Sequence, residues 1–232
     1  MDLLEEIGRG VRGLGARALD LALPAICAGC EREGAALCTE CLPALDSRLD
    51  LPPGVPVGLP GDVPAPLAQV EWCAGFTGVP RRALHRLKYA GDRRLAEPMG
   101  RAVGRRWLRA GVGGDVLMPV PASPDRVRDR GYDQAELLAR AASSLCGLPV
   151  LAPLTRTRVT TAQFDLDRRA RAGNVAGAFA LRDEWRRGRL EGAWVVLVDD
   201  VLTTGATLAA CADVLLEAGA LAVSAVTVAR ER

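Results

Sequence analysis

The chain has 232 residues, of which 49% are hydrophobic and only 4% aromatic, and its 30 basic and 28 acidic residues leave a net charge of +2. This length suits one full domain with a small appendage, and the core must be built from aliphatic side chains. The near balance of charge excludes a global basic surface for nucleic acid. No apolar run reaches the ~18–20 residues of a membrane-spanning helix, so we expect no integral membrane association.

The N-terminal residues and the cysteines predict a reduced, cytoplasmic protein. Asp2, Glu5 and Glu6 stand where a signal peptide would have a basic region and an apolar core. Seven cysteines, an odd number, argue against a secreted disulfide framework. Residues 3–23 have apolar residues at partly helical spacing, interrupted by four glycines. They predict a helix packed on its own domain, or a membrane-surface helix that the acidic residues disfavour.

Two Cys-x-x-Cys pairs follow, separated by seven residues: Cys27 with Cys30, and Cys38 with Cys41. Each pair presents two sulfurs on a tight turn, and two pairs complete the tetrahedron that Zn²⁺ prefers. Four protein ligands leave no open position for catalysis, so the predicted site is structural. A redox pair or ordinary buried thiols are the alternatives. We therefore assign residues 1–50 to an N-terminal helix and a small zinc ribbon.

Residues 51–66 contain six prolines and three glycines and predict a linker to a second unit, residues 67–232. In that unit, strand-like and helix-like segments alternate, which is typical of an α/β domain with a mostly parallel sheet flanked by helices. The predicted strands cover 70–76, 116–120, 194–198 and 221–228, with a strand or hairpin arm at 175–181. The predicted helices cover 80–89, 94–110, 133–146 and 207–218.

Residues 118–134 are predicted to form a loop at the edge where open α/β sheets bind ligands. The loop contains Ser123 and three arginines within five residues, Arg126, Arg128 and Arg130. Guanidinium groups match phosphate oxygens with paired hydrogen bonds, so this composition favours a pyrophosphate. A charged surface loop is the alternative.

The 30 basic residues include a single lysine, Lys88. The chain otherwise uses arginine, so this position could need a compact point charge where a planar guanidinium would not serve. Chance is the other explanation.

Residues 154–174 are polar and rich in arginine. They are a candidate for a lid that closes over a ligand and excludes water. A solvated hairpin is the alternative.

The most specific signal begins with the apolar run 194–198, which predicts a strand buried on both faces. Asp199 and Asp200 follow at the ligand-binding edge, where two carboxylates can accept hydrogen bonds from neighbouring hydroxyls. Residues 203–207 then read Thr-Thr-Gly-Ala-Thr and open a helix, so their N–H groups form an anion cradle that Gly205 lets a ligand approach. A strand whose Asp caps the next helix would explain one carboxylate but not this whole pattern.

This segment resembles the phosphoribosyl pyrophosphate (PRPP) signature of type I phosphoribosyltransferases. The chain as a whole resembles the ComF family, because several separate motifs occur in the same order. These motifs are the four cysteines 27, 30, 38 and 41, the segments 82–92, 119–121, 130–132, 174–179 and 195–207, and the single residues Gln163 and Arg169.

The resemblance implies a type I phosphoribosyltransferase-like fold that binds PRPP with Mg²⁺. It implies that Asp199 and Asp200 are the catalytic carboxylates and hold the ribose hydroxyls, while the following loop holds the 5-phosphate. The implied PRPP-binding set is Asp199, Asp200, Val201, Leu202, Thr203, Thr204, Gly205, Ala206 and Thr207. The implied pyrophosphate-binding set is Lys88, Pro121, Ala122, Ser123, Arg126 and Arg130.

One residue departs from the family pattern. Asp133 stands where the family usually has asparagine, and its charge would weaken pyrophosphate binding unless it helps to hold Mg²⁺, pairs with Arg130 or caps the next helix. The one histidine, His85, lies on a predicted helix and is interpreted as a packing residue, so no general base is evident.

Two functions remain open. The first is an enzyme that transfers phosphoribose from PRPP to an acceptor that the sequence does not identify. The second is a non-catalytic PRPP or nucleotide sensor that binds single-stranded DNA or a helicase partner. The family resemblance implies a role in DNA uptake during natural transformation, although the few aromatic residues do not themselves indicate base stacking.

Overall fold

The computed structural model describes residues 25–52, 66–157, 177–185 and 188–231. The predicted N-terminal helix 3–23, most of the linker 51–66 and most of the candidate lid 154–174 lie outside the described residues. Within the described ranges, no helix combines the length and apolar character needed to cross a membrane.

Six strands and five helices make up the described chain, joined by short 3₁₀ turns. The strands are β1 (Gln69–Gly75), β2 (Val116–Pro119), β3 (Leu154–Arg156), β4 (Phe179–Leu181), β5 (Trp194–Leu202) and β6 (Ala222–Arg230). The helices are α1 (Gly78–Tyr89), α2 (Ala96–Ala110), α3 (Pro124–Arg130), α4 (Gln134–Cys146) and α5 (Ala206–Glu217).

Four strands form a parallel sheet in the order β1-β6-β5-β2, and β3 and β4 form a separate antiparallel pair. Side chains of β5 alternate between the two faces of the four-stranded sheet. Val196 and Val198 pack with α1, α2, α4 and the cysteine-rich region on one face. Val195 and Leu197 pack with α5 and the β3–β4 pair on the other. The predicted α/β architecture, a mostly parallel sheet flanked by helices, is thus confirmed. The carboxyl ends of β5 and β2 lie side by side, at the edge where such sheets bind ligands.

The strand β5 is longer than the apolar run that predicted it. Its pairing with β6 continues to Leu202, opposite Arg230, so Asp199 and Asp200 lie inside the strand and not after it. The register with β6 is a tertiary constraint that the local apolar pattern does not contain.

The segment predicted as a loop over 118–134 contains the helix α3. Ser123 precedes it with extended backbone, Pro124 occupies its first turn, and Gly131 ends it in the left-handed conformation at φ 75°. Proline at a helix start and glycine just past its end are the usual boundary residues. The arginines of this segment are therefore displayed on a short helix.

A buried ion pair anchors the cysteine-rich region to the sheet. Arg106 on α2 is 1% exposed and donates to Glu71 Oε2 of β1 through Nε at 2.9 Å and Nη2 at 2.6 Å. The remaining Arg106 N–H groups donate to backbone carbonyls of residues 48, 49, 51 and 52. This arginine thus joins α2, β1 and the segment 48–52 that covers the edge of β1.

We expect Arg106→Met to lower the free energy of unfolding by about 3–5 kcal/mol, because it leaves Glu71 as a buried charge without this partner. Arg101→Met is the matched control on the same helix. The Arg101 side chain is 46% exposed and 3.7 Å from Glu97, so its loss should cost less than about 1 kcal/mol. Urea denaturation of both variants measures the difference, and equal stabilities would contradict the anchoring role of Arg106.

Candidate functional site

Asp200 is the centre of the polar cluster at the end of β5. The residue is 6% exposed, and each of its carboxylate oxygens has its own donor. Lys88 Nζ, from the last turn of α1, lies 2.8 Å from Oδ1, and Gln134 Nε2, from the start of α4, lies 3.1 Å from Oδ2. The structure therefore brings the single lysine onto the acidic pair, although Lys88 was predicted to bind pyrophosphate.

Asp199 lies beside Asp200 in a different electrostatic environment. Burial, followed by the negative charge of Asp200, raises the pKa of Asp199 to about 8, while a hydrogen bond from the Asp200 backbone N–H and the charge of Lys88 oppose this shift. That hydrogen bond, from Asp200 N to Asp199 Oδ1, is 2.7 Å long. Asp199 therefore gains a proton more readily than an ordinary aspartate does.

The loop after β5 leads directly into α5 at the same edge. Gly205 has φ 80° and ψ −2°, a left-handed conformation that glycine adopts without strain, and it is the residue before the helix. Ala206 N lies 3.4 Å from Thr204 Oγ1. The first N–H groups of a helix have no intrahelical acceptor and carry partial positive charge. Residues 203–207 can therefore receive an anion a few residues from the carboxylates.

The predicted pyrophosphate residues occupy the neighbouring edge, after β2. Pro121, Ala122 and Ser123 join β2 to α3; Ser123 is buried. Arg126 is exposed on α3, whereas Arg130, at its last turn, is half-buried. Arg130 joins the acidic cluster through its hydrogen bond to Gln134.

Asp133 caps the helix α4, which is one of the three roles that would reconcile its charge with the site. Its Oδ1 accepts from the N–H groups of Ala135 and Glu136, and its Oδ2 accepts from the N–H of Ala122 at 2.8 Å. Burial raises the pKa of Asp133, and these hydrogen bonds oppose the shift. Asparagine has one acceptor oxygen and could not make both sets of bonds. The aspartate thus fixes the 121–123 segment onto α4.

Gln134, Tyr132 and Arg156 belong to the site but were not predicted as site residues. The Tyr132 hydroxyl donates to Leu87 O and so holds the end of α1 near the cluster. Burial, and then the charge of Arg126, lowers the pKa of Arg156, while Asp199 opposes that shift. Arg156 on β3 is thus within electrostatic reach of both edges. Tyr132 and Gln134 lie in the segment that predicted the pyrophosphate site, but neither belongs to the predicted binding set.

His85 is exposed, so its interpretation as a packing residue was wrong. Its ring centroid lies 4.7 Å from that of Tyr89, which is 69% exposed. The structure therefore leaves two rings on the surface of α1, next to the residue that contacts Asp200.

The four cysteines predicted as ligands do come together. All their Sγ atoms lie within 4.8 Å of one another, and those of Cys30 and Cys38 are 3.6 Å apart. A zinc–sulfur bond of about 2.3 Å gives sulfur separations of about 3.8 Å in a tetrahedron, so the cluster could hold a metal such as zinc. Burial opposes ionisation of Cys27, but N–H groups of Cys38, Cys30 and Gly29 outweigh it and lower its pKa to about 6.

The cysteine cluster is fixed to the helix that carries Lys88. On α1, Arg82 donates to Ala28 O at 3.1 Å and to Gly29 O at 2.7 Å, and Arg86 donates to Ile26 O at 2.8 Å. These arginines bind the first cysteine turn through its backbone carbonyls. The cluster therefore supports the position of α1, and through it the position of Lys88.

Comparisons with known proteins agree with this architecture. Residues 147–232 match the family model of the phosphoribosyl transferase domain. The chain is 32% identical to the DNA utilization protein YhgH of Escherichia coli (strain K12) over 206 residues, 85% of this chain and 86% of that protein. It is 37% identical to competence protein F of Haemophilus influenzae over 98 residues, 40% of this chain and 41% of that protein.

Among solved structures, the glutamine PRPP amidotransferase from B. subtilis is 22% identical, with a TM-score of 0.38 over 57% of this chain and 26% of that chain. This likeness is too weak to add to the sequence comparisons. The domain match includes β5, both aspartates and the 203–207 loop, and the identity to YhgH spans most of both chains. The chain therefore belongs to the ComF family and has a phosphoribosyltransferase fold.

Proposed function

We propose that the protein binds PRPP with Mg²⁺ at the shared edge of β5 and β2 and transfers its phosphoribosyl group to an acceptor. The observation that carries this proposal is the placement of Asp199 and Asp200 beside the N-terminus of α5. Carboxylates accept hydrogen bonds from a sugar diol, and a helix N-terminus binds a phosphate. A ribose 5-phosphate carries both groups.

Each part of PRPP then has a partner in the cluster. Asp199 and Asp200 accept hydrogen bonds from the ribose hydroxyls, and residues 203–207 donate to the 5-phosphate. Arg130 and Lys88 face the pyrophosphate, together with the 121–123 segment. Lys88 pairs with Asp200 in the free protein, so the ribose hydroxyls compete for that carboxylate and release the ammonium group for the leaving group.

The reaction breaks the bond between ribose C1 and the pyrophosphate oxygen, which leaves with the electron pair, and the acceptor forms the new bond to C1. The carboxylates stabilise the positive charge that develops on the ring, and the cations stabilise the leaving group. Carboxylate and diphosphate oxygens are the hard ligands that Mg²⁺ takes, and the metal, when bound, would supply positive charge to the leaving group.

Asp200→Asn should weaken PRPP binding at least about tenfold, because it removes the charge that accepts the ribose hydroxyls and pairs with Lys88. Asp213→Asn, an exposed position on α5, is the control with the same change in charge. Isothermal titration with PRPP and Mg²⁺ measures both affinities.

Unchanged affinity in Asp200→Asn would contradict the assignment of the acid pair, and absence of binding to folded wild-type protein would contradict the site itself. Pyrophosphate release with a panel of nucleobases then separates transfer from sensing. Release that an acceptor accelerates supports the enzyme. Slow release that no acceptor accelerates supports the sensor.

We further propose that the cysteine cluster holds one structural Zn²⁺. Its four sulfurs lie within 4.8 Å of one another, and all seven cysteines of the chain are unpaired. Gly29 packs so close to Cys41 that a Cβ there would lie 2.4 Å from its Sγ. The first cysteine turn therefore packs directly against the second cysteine pair, as expected when both pairs bind one metal.

Unpaired cysteines also suit the cytoplasm, where we place the protein.

Elemental analysis should find one zinc per chain, and Cys30→Ser should lower this value towards zero, because three thiolates bind zinc far more weakly than four. Cys146→Ser, outside the cluster, should keep the full content. Freshly purified, unchelated wild-type protein without zinc would refute the zinc ribbon.

A second candidate function is binding of single-stranded DNA along α1. The helix presents Arg81, Arg82 and His85 towards a hollow of about 330 Å³ beside the cysteine turn, and Tyr89 lies farther along. The Arg130 guanidinium lies 5.4 Å from the Tyr89 ring centroid. Cations beside an exposed aromatic ring are the elements that bind single strands. The names of the relatives, DNA utilization and competence proteins, agree with this candidate. In this second function the protein would bind single-stranded DNA or a helicase partner.

Tyr89→Ala should weaken binding of a single-stranded oligonucleotide about tenfold, because one stacked base contributes about 1–3 kcal/mol. Leu221→Ala, which removes a side chain 70% exposed, is the control. Fluorescence anisotropy at several salt concentrations measures the affinity. Equal affinities, or binding insensitive to salt, would contradict a nucleic-acid surface on α1.

A further inference from the structure

Gln134 connects the two sides of the donor site. Arg130 Nη1 donates to Gln134 Oε1 at 2.8 Å, and Gln134 Nε2 donates to Asp200 Oδ2 at 3.1 Å. Gln134 as a whole is 6% exposed. Arg130 comes from the edge after β2 and Asp200 from the edge after β5, so one buried amide joins both.

The direction of the amide is fixed by its neighbours. Arginine can only donate hydrogen bonds, and an ionised carboxylate can only accept them. Gln134 must therefore point its oxygen to Arg130 and its nitrogen to Asp200. A carboxylate in place of the amide would repel Asp200, and an apolar side chain would leave both partners without their bridge.

We propose that Gln134 is a positioning residue that holds the pyrophosphate-side arginine and the ribose-side carboxylate at the separation that intact PRPP requires. This inference rests on the proposed function. PRPP gains from binding both sides at once only if their separation is already set, because preorganisation removes the cost of ordering them. Ribose 5-phosphate and pyrophosphate each bind one side and do not depend on that separation.

The neighbouring contacts indicate that Gln134 sets the separation of Arg130 and Asp200 and does not simply contribute to packing. Lys88 holds the other oxygen of Asp200, and Asp133 independently caps α4 and binds Ala122 N. Loss of the Gln134 amide therefore leaves the helix start and the carboxylate each with a further partner. Loss of this amide specifically removes the connection between Arg130 and Asp200.

The test compares Gln134→Met, which keeps the length of the side chain without its hydrogen bonds, with wild-type protein. Isothermal titration with PRPP and Mg²⁺ should show about a tenfold loss of affinity. The affinities for ribose 5-phosphate and for pyrophosphate, titrated separately, should each change less than about threefold.

Gln69→Met is the matched control. Gln69 is also a buried amide that donates to a carboxylate, Glu71 Oε1 at 2.9 Å, but at the start of β1. It should lower stability and leave all three affinities unchanged. Equal losses for all three ligands in Gln134→Met, or no loss, would overturn the inference. Wild-type protein that bound no PRPP would overturn the proposed function and the inference with it.

Gln134→Glu provides a readout that a packing role would not change. The protonated carboxyl has one donor and one acceptor and can restore both bonds, whereas the ionised form cannot. The affinity for PRPP relative to wild type should therefore recover as the pH falls from about 7 towards about 4, the range in which a glutamate ordinarily gains its proton. A constant ratio would overturn the inference. The charged groups that surround this position are Lys88, Arg130, Asp133, Asp199 and Asp200, and wild-type protein at each pH accounts for their titration.

Discussion

The need to compensate a buried carboxylate at the end of β5 organises the site. Asp200 is removed from water, and a carboxylate there is stable only with close donors. The donors are Lys88 and Gln134, which come from α1 and α4. The same interaction therefore fixes the end of one helix and the start of another around the acidic pair. Burial and the neighbouring charge of Asp200 raise the pKa of Asp199 in the same place.

The contacts extend from the acid pair to the cysteine cluster. Lys88 belongs to α1, whose arginines bind the backbone of the first cysteine turn. The residues after the cluster bind Arg106, which pairs with Glu71 in the sheet. The cluster and the sheet are thus joined by two sets of polar contacts and share one apolar core. A metal in the cluster would stabilise the helix that presents Lys88.

The sequence predicted the parts of the site that depend on local pattern. The apolar run of β5, the two aspartates and the helix start after them follow from residue order alone. The length of β5 does not follow from residue order, because it depends on the register with β6. The helix α3 was not predicted, because its seven residues bury no apolar face and so have no helical hydrophobic pattern, although Ser123, Pro124 and Gly131 mark its ends. The bridge by Gln134 and the pairing of Lys88 with Asp200 join residues 66 and 112 positions apart, which no local pattern contains.

The central claim is that Asp199, beside Asp200, receives the ribose of PRPP. Carbon-13 NMR of the aspartate carboxyl groups tests it most directly, with Asp199 assigned by substitution. In the free protein the Asp199 carboxyl should titrate near pH 8. With PRPP and Mg²⁺ its midpoint should move to lower pH, because hydroxyls that donate to a carboxylate favour its ionised form. A titration curve that PRPP leaves unchanged, or shifts upward, would contradict the account.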